Sequence, residues 1–383
     1  MMHVLWTPSW WPSPAAPLDG SFFAEQVGML RNAGIETGVI CVRGGKPQDF
    51  FSVNVGAGRE KMASSALVPL GIVPGDAALI GRVSRRLGRA YAAEFGIPDV
   101  IHAHSVFPGV IAARALAEEW GVAYGITEHR PSTMRRNPQS FRYGIIRAAV
   151  AQASFRNSVS PDMAAKLSRY YGAPFGVLTL PIATPFFERP LREHRGSGFT
   201  FIHVSNLDDN KRLPLTLAAF EPVHREFPDT RFLVVGGQGA ELQAAREYAA
   251  SLPCRDAIEI YGAVLRSDLP GLMETADCLV LASAREAGGV VLGEAQSLGI
   301  PCIVTATAAG RFMVTDETGS VVPIDDKPAL TRAMRAMVET GPRNRAAIRE
   351  VARARFSQET FVNTLLPIYS AAIEAVGHAD REG

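Results

Sequence analysis

Apolar runs rich in valine and isoleucine alternate with segments of helical period along most of the chain. Strands buried on both faces appear as continuous apolar runs, so this alternation predicts parallel sheets covered by helices on both sides. The pattern forms two series, one in each half of the chain. The first series has strands near His3–Trp6, Thr37–Val42, Asp99–His102, Ala123–Thr127, Asn157–Val159 and Val177–Leu180. The second has strands near Phe199–Val204, Arg231–Val235, Ala257–Tyr261, Cys278–Leu281 and Pro301–Val304.

The length of 383 residues exceeds that of an ordinary single core, so we predict two domains. Prolines, charges and glycines interrupt the alternation at 184–198, which predicts a linker. The expected domains are 1–185 and 186–360, each a Rossmann-like, doubly wound α/β sheet, facing one another across a cleft. We expect the helical tail 361–383 to pack back on the first domain.

Composition is that of a globular protein, with 47% apolar and 20% charged residues. No apolar run reaches the length of about eighteen residues that a membrane span needs. The first residues enter strand-like sequence at once, without the features of a secretion signal, which predicts a cytoplasmic protein. The cysteines lie far apart in apolar surroundings, so we expect buried free thiols and no metal site.

The net charge of +1 hides an asymmetry. Residues 1–185 carry 18 basic and 12 acidic side chains, a net charge of +6, whereas the remainder has 21 against 26, a net −5. An anionic acceptor or surface facing the first half would explain this difference, and so would ordinary variation in composition. No nucleic-acid partner is expected.

In parallel α/β sheets, ligands bind where strands end and helices begin, because helix N-termini present free amides to anions. The most informative such turn lies within 281–305, LASAREAGGVVLGEAQSLGIPCIVT. Glycines at its centre permit close backbone approach, and the first-turn amides that follow are free donors for phosphate. Two glutamates flank this helix start. The residues are Glu286, Gly288, Gly289, Val290, Val291 and Glu294.

This turn resembles the donor-binding motif of glycosyltransferase family 4, whose fold is GT-B. The motif S-x-x-E-x-x-G-x(4)-E-A, followed by G-x-P, is matched by Ser283, Glu286, Gly289, Glu294, Ala295, Gly299 and Pro301. The resemblance implies that Glu294 binds the ribose hydroxyls, that Glu286 contacts the donor sugar, and that the amides between them hold the diphosphate. It also implies transfer with retention of the anomeric configuration.

A second turn, FTFIHVSNLDDNKR, delivers Lys211 to the start of a helix, where a lysine can neutralise phosphate. Family members commonly carry an arginine where this chain has Asn206, so one bidentate phosphate contact is missing. The sequence does not show whether Arg212 supplies the phosphate contact that is missing at Asn206. A plain solvated lysine is the alternative interpretation of Lys211.

Two further turns resemble donor-binding loops of the same family. The stretch VVGGQG places Gly237 after a strand, and YGAVLRSDLP places Gly262 and Val264 where the family resemblance implies the nucleobase. Glycine-rich turns of this kind also occur for purely geometric reasons in many folds.

The acceptor side is predicted in the first half. His104 ends a strand in DVIHAHSVFPG and is the candidate for contact with the donor sugar, whereas His102 is expected in the core. His129 and Arg130 end the next strand and lead into a basic loop. Gly20 and Ser21 lie in the first strand-to-helix loop, which faces the acceptor in the family that the chain resembles.

A basic amphipathic helix is predicted between 77 and 96. Its cationic face would contact anionic lipid headgroups at the inner face of the membrane, or it is an ordinary solvated surface helix. The arginines concerned are Arg82, Arg85, Arg86 and Arg89.

The resemblance implies a retaining glycosyltransferase that moves a hexose from a UDP- or GDP-sugar to a saccharide or lipid-linked acceptor, in cell-surface polysaccharide or glycolipid biosynthesis. Lys211 and backbone amides would stabilise the leaving diphosphate, so no metal or other cofactor is expected. A nucleotide-sugar 2-epimerase of GT-B fold and a non-catalytic nucleotide-sugar-binding module are the alternatives. The sequence does not fix the base, the sugar, the acceptor or the oligomeric state.

Overall fold

The computed structural model of the chain describes residues 1–13, 16, 19–45, 48, 53–55, 62–71, 75–192, 198–341 and 343–382. The chain divides into two compact units. The first unit comprises Met1–Leu178 together with Phe361–Gly383, and the second comprises Thr179–Thr360. The C-terminal helix therefore belongs to the unit that contains the first residues of the chain.

The first unit is built on an eight-stranded sheet. Its strands are β1 (His3–Pro8), β2 (Glu36–Gly44), β3 (Val53–Val55), β4 (Ala63–Val68), β5 (Val100–His104), β6 (Ala123–Glu128), β7 (Phe155–Ser158) and β8 (Gly176–Val177). They are ordered β3-β4-β2-β1-β5-β6-β7-β8. Every pairing is parallel except that of β3 with β4. The order reverses between β1 and β5, which is where ligands bind in sheets of this kind.

Helices cover this sheet on both faces. They are α1 (Ser21–Asn32), α2 (Gly75–Phe95), α3 (Ile111–Trp120), α4 (Phe141–Gln152), α5 (Pro161–Tyr171) and the last helix, α14 (Gln358–Glu382). Tyr369 of α14 is fully buried and its hydroxyl lies 2.7 Å from Nδ1 of His102. The indole of Trp6 donates to the same hydroxyl at 3.3 Å. These bonds fix α14 onto the middle of the first sheet.

The second unit contains a six-stranded sheet that is parallel throughout. Its strands are β9 (Phe199–Val204), β10 (Thr230–Val235), β11 (Ile258–Gly262), β12 (Cys278–Leu281), β13 (Cys302–Thr305) and β14 (Gly319–Val322), in the order β11-β10-β9-β12-β13-β14. Its helices are α6 (Thr184–Glu188), α7 (Leu213–Glu226), α8 (Gly239–Ala250), α9 (Leu269–Met273), α10 (Val290–Ser297), α11 (Ala308–Met313), α12 (Lys327–Thr340) and α13 (Arg345–Phe356). The order reverses between β9 and β12. The predicted α/β class, with two doubly wound sheets, is confirmed.

The segment that the sequence predicts as a linker is partly helical. Its first residues form α6, which has a proline at its start, where the missing amide costs nothing. Phe186 and Phe187 of this helix are buried in the core of the second unit, and Arg189 is paired with Glu274. Two adjacent phenylalanines need an apolar environment, which a solvated linker does not provide. Residues 193–197 of the predicted linker lie outside the described residues.

Three strands were not predicted: β3, β4 and β14. The strand β3 is exposed along its whole length and β4 is rich in serine and alanine, so neither has the apolar run that marked the other strands. All four cysteines are buried free thiols. Within the described part of the chain, no helix is both long and apolar enough to cross a membrane.

Candidate active site

The strand order of the second sheet brings two predicted site residues into contact. Lys211 ends a short helical turn after β9, and Glu286 lies in the loop after β12. The ammonium Nζ of Lys211 is 2.6 Å from Oε2 of Glu286, and both side chains are about one-fifth exposed. A cation and a carboxylate are thus held together where the sheet topology places a ligand.

Asn210 joins the two loops that carry this pair. Its side-chain amide donates to the carbonyl of Arg285 at 2.9 Å, and its Oδ1 accepts from the amide of Arg285 at 3.0 Å. The backbone carbonyl of Asn210 also accepts from the amide of Ala284 at 2.8 Å. Sequence reasoning missed this residue, because only the pairing of β9 with β12 shows that its amide has a backbone edge to bind.

His203 fixes the start of the loop that leads to Lys211. Its Nδ1 lies 3.1 Å from the carbonyl of Val280, and its Nε2 lies 2.8 Å from the hydroxyl of Ser205. Burial, aided by the charge of Lys211, lowers the pKa of His203 to about 4. The imidazole is therefore neutral and donates from Nδ1, since a carbonyl only accepts. The Ser205 oxygen in turn accepts from the amide of Leu207 at 3.0 Å.

The turn that enters α10 has the backbone geometry expected from its glycines. Gly289 adopts a left-handed conformation with φ of 57°, and a Cβ there would lie 3.0 Å from Ala309, Leu292 and Met313. Gly288 precedes it, and Val290 and Val291 form the first turn of α10. Amides of a first helical turn have no acceptor within the helix, so they are available to an anion.

Glu294 lies on the second turn of α10 and only 2% of it is exposed. Its carboxylate is paired with the guanidinium of Arg266, which also lies 5.2 Å from the centre of the Phe186 ring. Arg266 was not among the predicted site residues, although it is four residues after Gly262 in a segment assigned to the nucleobase. No motif signal distinguished it from other loop arginines.

The other predicted donor-site residues have local partners. Asn206 bonds to Asp208 within its own loop, at 3.2 Å. Arg212 binds Asp325 at 3.0 Å through Nε and the carbonyl of Asp209 through Nη1. Its guanidinium is thus already engaged by a carboxylate, which weighs against the idea that it replaces the missing phosphate contact.

The remaining donor-side positions lie at strand ends. Gly237 and Gly262 have positive φ of 72° and 73°, which a residue with a Cβ rarely adopts. At Gly237 a Cβ would lie 2.6 Å from Leu207, so the β10 turn packs directly on the loop that leads to Lys211. Val264 packs against the core of the second unit.

In the first unit, the predicted histidines form a buried cluster beside β1. Nδ1 of His104 lies 3.0 Å from Nε2 of His129, and the ring of His104 lies 3.7 Å from that of Trp6. Burial lowers the pKa of His102 and His104 well below the ordinary range and that of His129 to about 3. His102 is in the core, as predicted, but His104 is equally buried and contacts other side chains of its own unit instead of solvent. Contact with the donor sugar stays a prediction for His104, and a place on the acceptor side stays a prediction for His129.

Glu128, which was not predicted as a site residue, organises the loop after β6. It is fully buried and accepts from the amides of Val106, His129 and Arg130 at 2.7–2.8 Å. Three charge-assisted bonds of this kind stabilise a buried carboxylate. Glu128 therefore fixes the backbone from which His129 and Arg130 project.

The first loop contacts Arg130 through an aromatic ring. The guanidinium of Arg130 lies 4.3 Å from the centre of the Trp10 ring. Gly20 has φ of 72°, and a Cβ there would lie 2.7 Å from the carbonyl of Trp10, so glycine is required. Ser21 begins α1 directly after it.

The predicted basic helix is α2. Its apolar residues, such as Ile80 and Leu87, are buried inside the first unit. Arg85 forms ion pairs with Glu118 and Glu119 of α3, and Arg89 pairs with Glu119. Arg82 and Arg86 are exposed. Because the apolar face is covered and half the arginines are neutralised, these contacts favour a surface helix over lipid contact.

Among the residues that the structure describes, no group of three or more His, Cys, Asp or Glu side chains is arranged to hold a metal ion. Positive charge at the β9–β12 edge is supplied by Lys211, which is paired with Glu286, and by the free first-turn amides of α10.

Two family models match the chain, one for each unit. The model described as Glycosyltransferase Family 4 matches residues 21–180, and the one described as Glycosyl transferases group 1 matches residues 187–355. The chain belongs to glycosyltransferase family 4. The motif residues Glu286 and Glu294 lie inside the second match.

Similar curated proteins are named as glycosyltransferases, and a solved structure shares the fold. The chain is 32% identical over 141 residues to D-inositol 3-phosphate glycosyltransferase of Salinispora arenicola, covering 36% of this chain and 31% of that protein. It is 28% identical over 316 residues to the protein of the same name from Geodermatophilus obscurus, covering 75% of this chain and 70% of that protein. HepE of Anabaena, solved in complex with UDP and glucose, superposes with a TM-score of 0.70 at 15% identity, covering 97% and 100%.

These similarities differ in extent. The matched part of this chain spans 31%, 51% and 39% of the length of three curated relatives, which is about half of each or less. The structural match extends over nearly the whole chain and shows that it shares the GT-B fold.

Proposed function

We propose that this family 4 protein transfers a hexosyl group from a UDP- or GDP-sugar to a saccharide or lipid-linked acceptor, with retention of anomeric configuration. The observation that carries the proposal is the contact of Lys211 with Glu286 at the edge of the second sheet where the strand order reverses. Two features of α10 support it. The helix begins directly after Gly289, which suits a diphosphate, and it carries the buried Glu294, which suits a ribose.

The leaving nucleoside diphosphate is the group whose charge must be stabilised. In the proposed complex, Lys211 exchanges its contact with Glu286 for the diphosphate, and the first-turn amides of α10 bind the same group. Glu286, released from the lysine, accepts hydrogen bonds from hydroxyls of the donor sugar. These groups supply positive charge without a metal ion, so we propose that transfer persists in EDTA.

Glu294 is proposed to bind the ribose hydroxyls, with the base beside Gly262 and Val264. A carboxylate accepts two hydrogen bonds at once, which suits vicinal hydroxyls. HepE, which shares the fold, is described in complex with UDP and glucose, so UDP-sugars are the first donors to test.

The proposed acceptor side is in the first unit, around Gly20, Ser21 and Arg130, with His104 and His129 behind them. Cell-surface polysaccharide or glycolipid synthesis at the cytoplasmic face of the membrane is the proposed context. Two relatives are named D-inositol 3-phosphate glycosyltransferase, which is one precedent for a small acceptor.

The proposal is tested by measuring thermal stabilisation with a panel of UDP- and GDP-sugars, followed by transfer assays with the donor that binds. A ligand at one hundred times its Kd should stabilise the fold by about 3 kcal/mol. Incubation of UDP-GlcNAc alone discriminates the alternatives: an epimerised product without acceptor would establish a 2-epimerase. Tight donor binding without hydrolysis or transfer to any acceptor would establish a binding module instead.

A further inference from the structure

The first unit contains an open cavity of about 670 Å³ that is lined by four arginines and one aspartate. The four are Arg43, Arg130, Arg136 and Arg142. A cavity of this volume is in the range that holds small-molecule ligands. Concentrated positive charge in a concave surface is expected to attract an anion.

Two of these arginines already have carboxylate partners. Arg43 lies 3.7 Å from Asp19, and Arg142 is paired with the buried Asp76. These pairs hold the wall of the cavity and neutralise part of its charge.

Arg130 and Arg136 differ from the other two. Within the described ranges, neither has a carboxylate oxygen at ion-pair distance. Burial lowers the pKa of Arg130, and the charge of Arg136 acts in the same direction, while Glu128 opposes both. Glu128 itself is occupied by three backbone amides. Two neighbouring guanidinium groups therefore lack a dedicated counter-charge.

Aromatic rings hold these guanidinium groups in place. Arg130 lies over Trp10 at 4.3 Å, and Arg136 and Arg142 both lie 5.2 Å from the centre of the Phe107 ring. A guanidinium packed against a ring keeps its in-plane N–H donors available. Nη2 of Arg130 donates to the carbonyl of Phe107 at 3.2 Å, and the remaining donors of the two guanidinium groups match the tetrahedral oxygens of a phosphate.

We propose that this arginine cavity binds a phosphate group carried by the acceptor substrate, an inference that rests on the transferase function proposed above. Phosphate is favoured over carboxylate because more than one arginine fork faces the cavity and a phosphate offers oxygens to several at once. The phosphate belongs either to a phosphorylated small molecule or to a lipid headgroup. The first-half excess of positive charge, noted from the sequence, is then concentrated where the acceptor binds.

The position of the tryptophans provides a direct measurement. All four tryptophans of the chain lie in the first unit, and Trp10 contacts Arg130. Titration with inorganic phosphate, and with D-inositol 3-phosphate against myo-inositol, should give a saturable fluorescence change for the phosphates and none for the neutral polyol. Raising the salt concentration should weaken binding.

Arg136→Gln is the test variant, because Arg136 forms no ion pair with the described residues and its loss leaves no carboxylate unpaired. It should weaken phosphate binding by about tenfold or more. Arg136→Lys should give an intermediate loss. Arg135→Gln is the matched control, since Arg135 is the adjacent exposed arginine and does not line the cavity. Equal weakening by the two glutamine variants, or no saturable response to any phosphate, would overturn the proposal.

Sedimentation with phosphatidic acid vesicles, compared with phosphatidylcholine vesicles, shows whether the bound phosphate comes from a lipid headgroup or from a small molecule. Arg136-dependent binding to phosphatidic acid assigns the phosphate to a lipid, whereas Arg136-dependent binding of D-inositol 3-phosphate alone assigns it to a small acceptor. UDP binding is measured calorimetrically on the same variants and should be unchanged. Failure of the wild-type protein to bind any nucleotide would defeat the transferase proposal and leave the phosphate result interpretable.

Discussion

The carboxylate of Glu294 and the guanidinium of Arg266 form an ion pair in which the glutamate is almost completely buried and the arginine is one-third exposed. A buried carboxylate needs such compensation, because its loss of hydration is costly. Arg266 therefore has a positioning role for the residue proposed to bind ribose. It holds the charge of Glu294 in place before a nucleotide arrives.

This relationship predicts strong coupling between the two residues. Arg266→Gln should destabilise the fold by about 1–2 kcal/mol, less than for a fully buried pair because the arginine is partly solvated. Glu294→Gln should weaken donor binding, and the double variant should be more stable than the sum of the single losses predicts. Urea unfolding of the four proteins measures the coupling, which we expect to be about 1 kcal/mol. Strictly additive losses would contradict the pairing.

Lys211 is predicted to act mainly on the transfer step. In the free protein its charge is balanced by Glu286. In the proposed complex, Lys211 would stabilise the diphosphate most when negative charge develops on the leaving group. Lys211→Ala should lower kcat by about 100-fold or more, with a smaller change in KM. Lys327→Ala, an exposed lysine of the same unit, is the matched control and should keep wild-type kinetics. A pure KM effect of Lys211→Ala would mean that the lysine only binds donor.

Much of the second unit could be predicted from the sequence because its strands are buried and continuous. The glycines and glutamates of the α10 turn carry enough spacing information to be matched to a family motif. Asn210 and Arg266 could not be found in that way. Each acts through a residue more than twenty positions away, and only the strand order brings those partners together.

The first unit was harder to interpret. His104 was expected at a ligand-facing strand end, yet its ring packs against Trp6 of β1 and Phe23 of α1 and is buried. The strands β3 and β4 lack an apolar run, so no periodicity indicated them. Packing between elements that are distant in the sequence is a property of the fold that local pattern does not encode.

Gly289 should not tolerate a side chain. Its φ of 57° is costly for alanine, and the added Cβ would also crowd Ala309 and Met313 at 3.0 Å. Gly239 is the matched control, with φ of 55° and no atom within 4 Å of the Cβ position. Thermal unfolding should show Gly289→Ala less stable than Gly239→Ala by about 1 kcal/mol. Equal stabilities would mean that the turn into α10 relaxes easily.

The buried histidines of the first unit predict how its stability depends on pH. His129 has a pKa of about 3 in the folded chain, against an ordinary value of 6.5, because burial disfavours its charged form. The unfolded chain therefore binds more protons than the folded chain below pH 6.5. This contribution to stability is fully present above that pH and is lost progressively as the pH falls towards 3.

Urea unfolding followed by tryptophan fluorescence reports this unit alone, since no tryptophan lies in the other. As the pH falls from about 7 to about 5.5, before carboxylates titrate, each such histidine should lower the unfolding free energy by up to about 1.4 kcal/mol per pH unit. His129→Gln keeps a side-chain partner for His104 without a titrating group. The slope of unfolding free energy against pH should therefore be smaller in this variant, by the contribution of one histidine. Identical slopes in wild type and variant would show that His129 has the same pKa in the folded and unfolded chains, so that burial does not lower it.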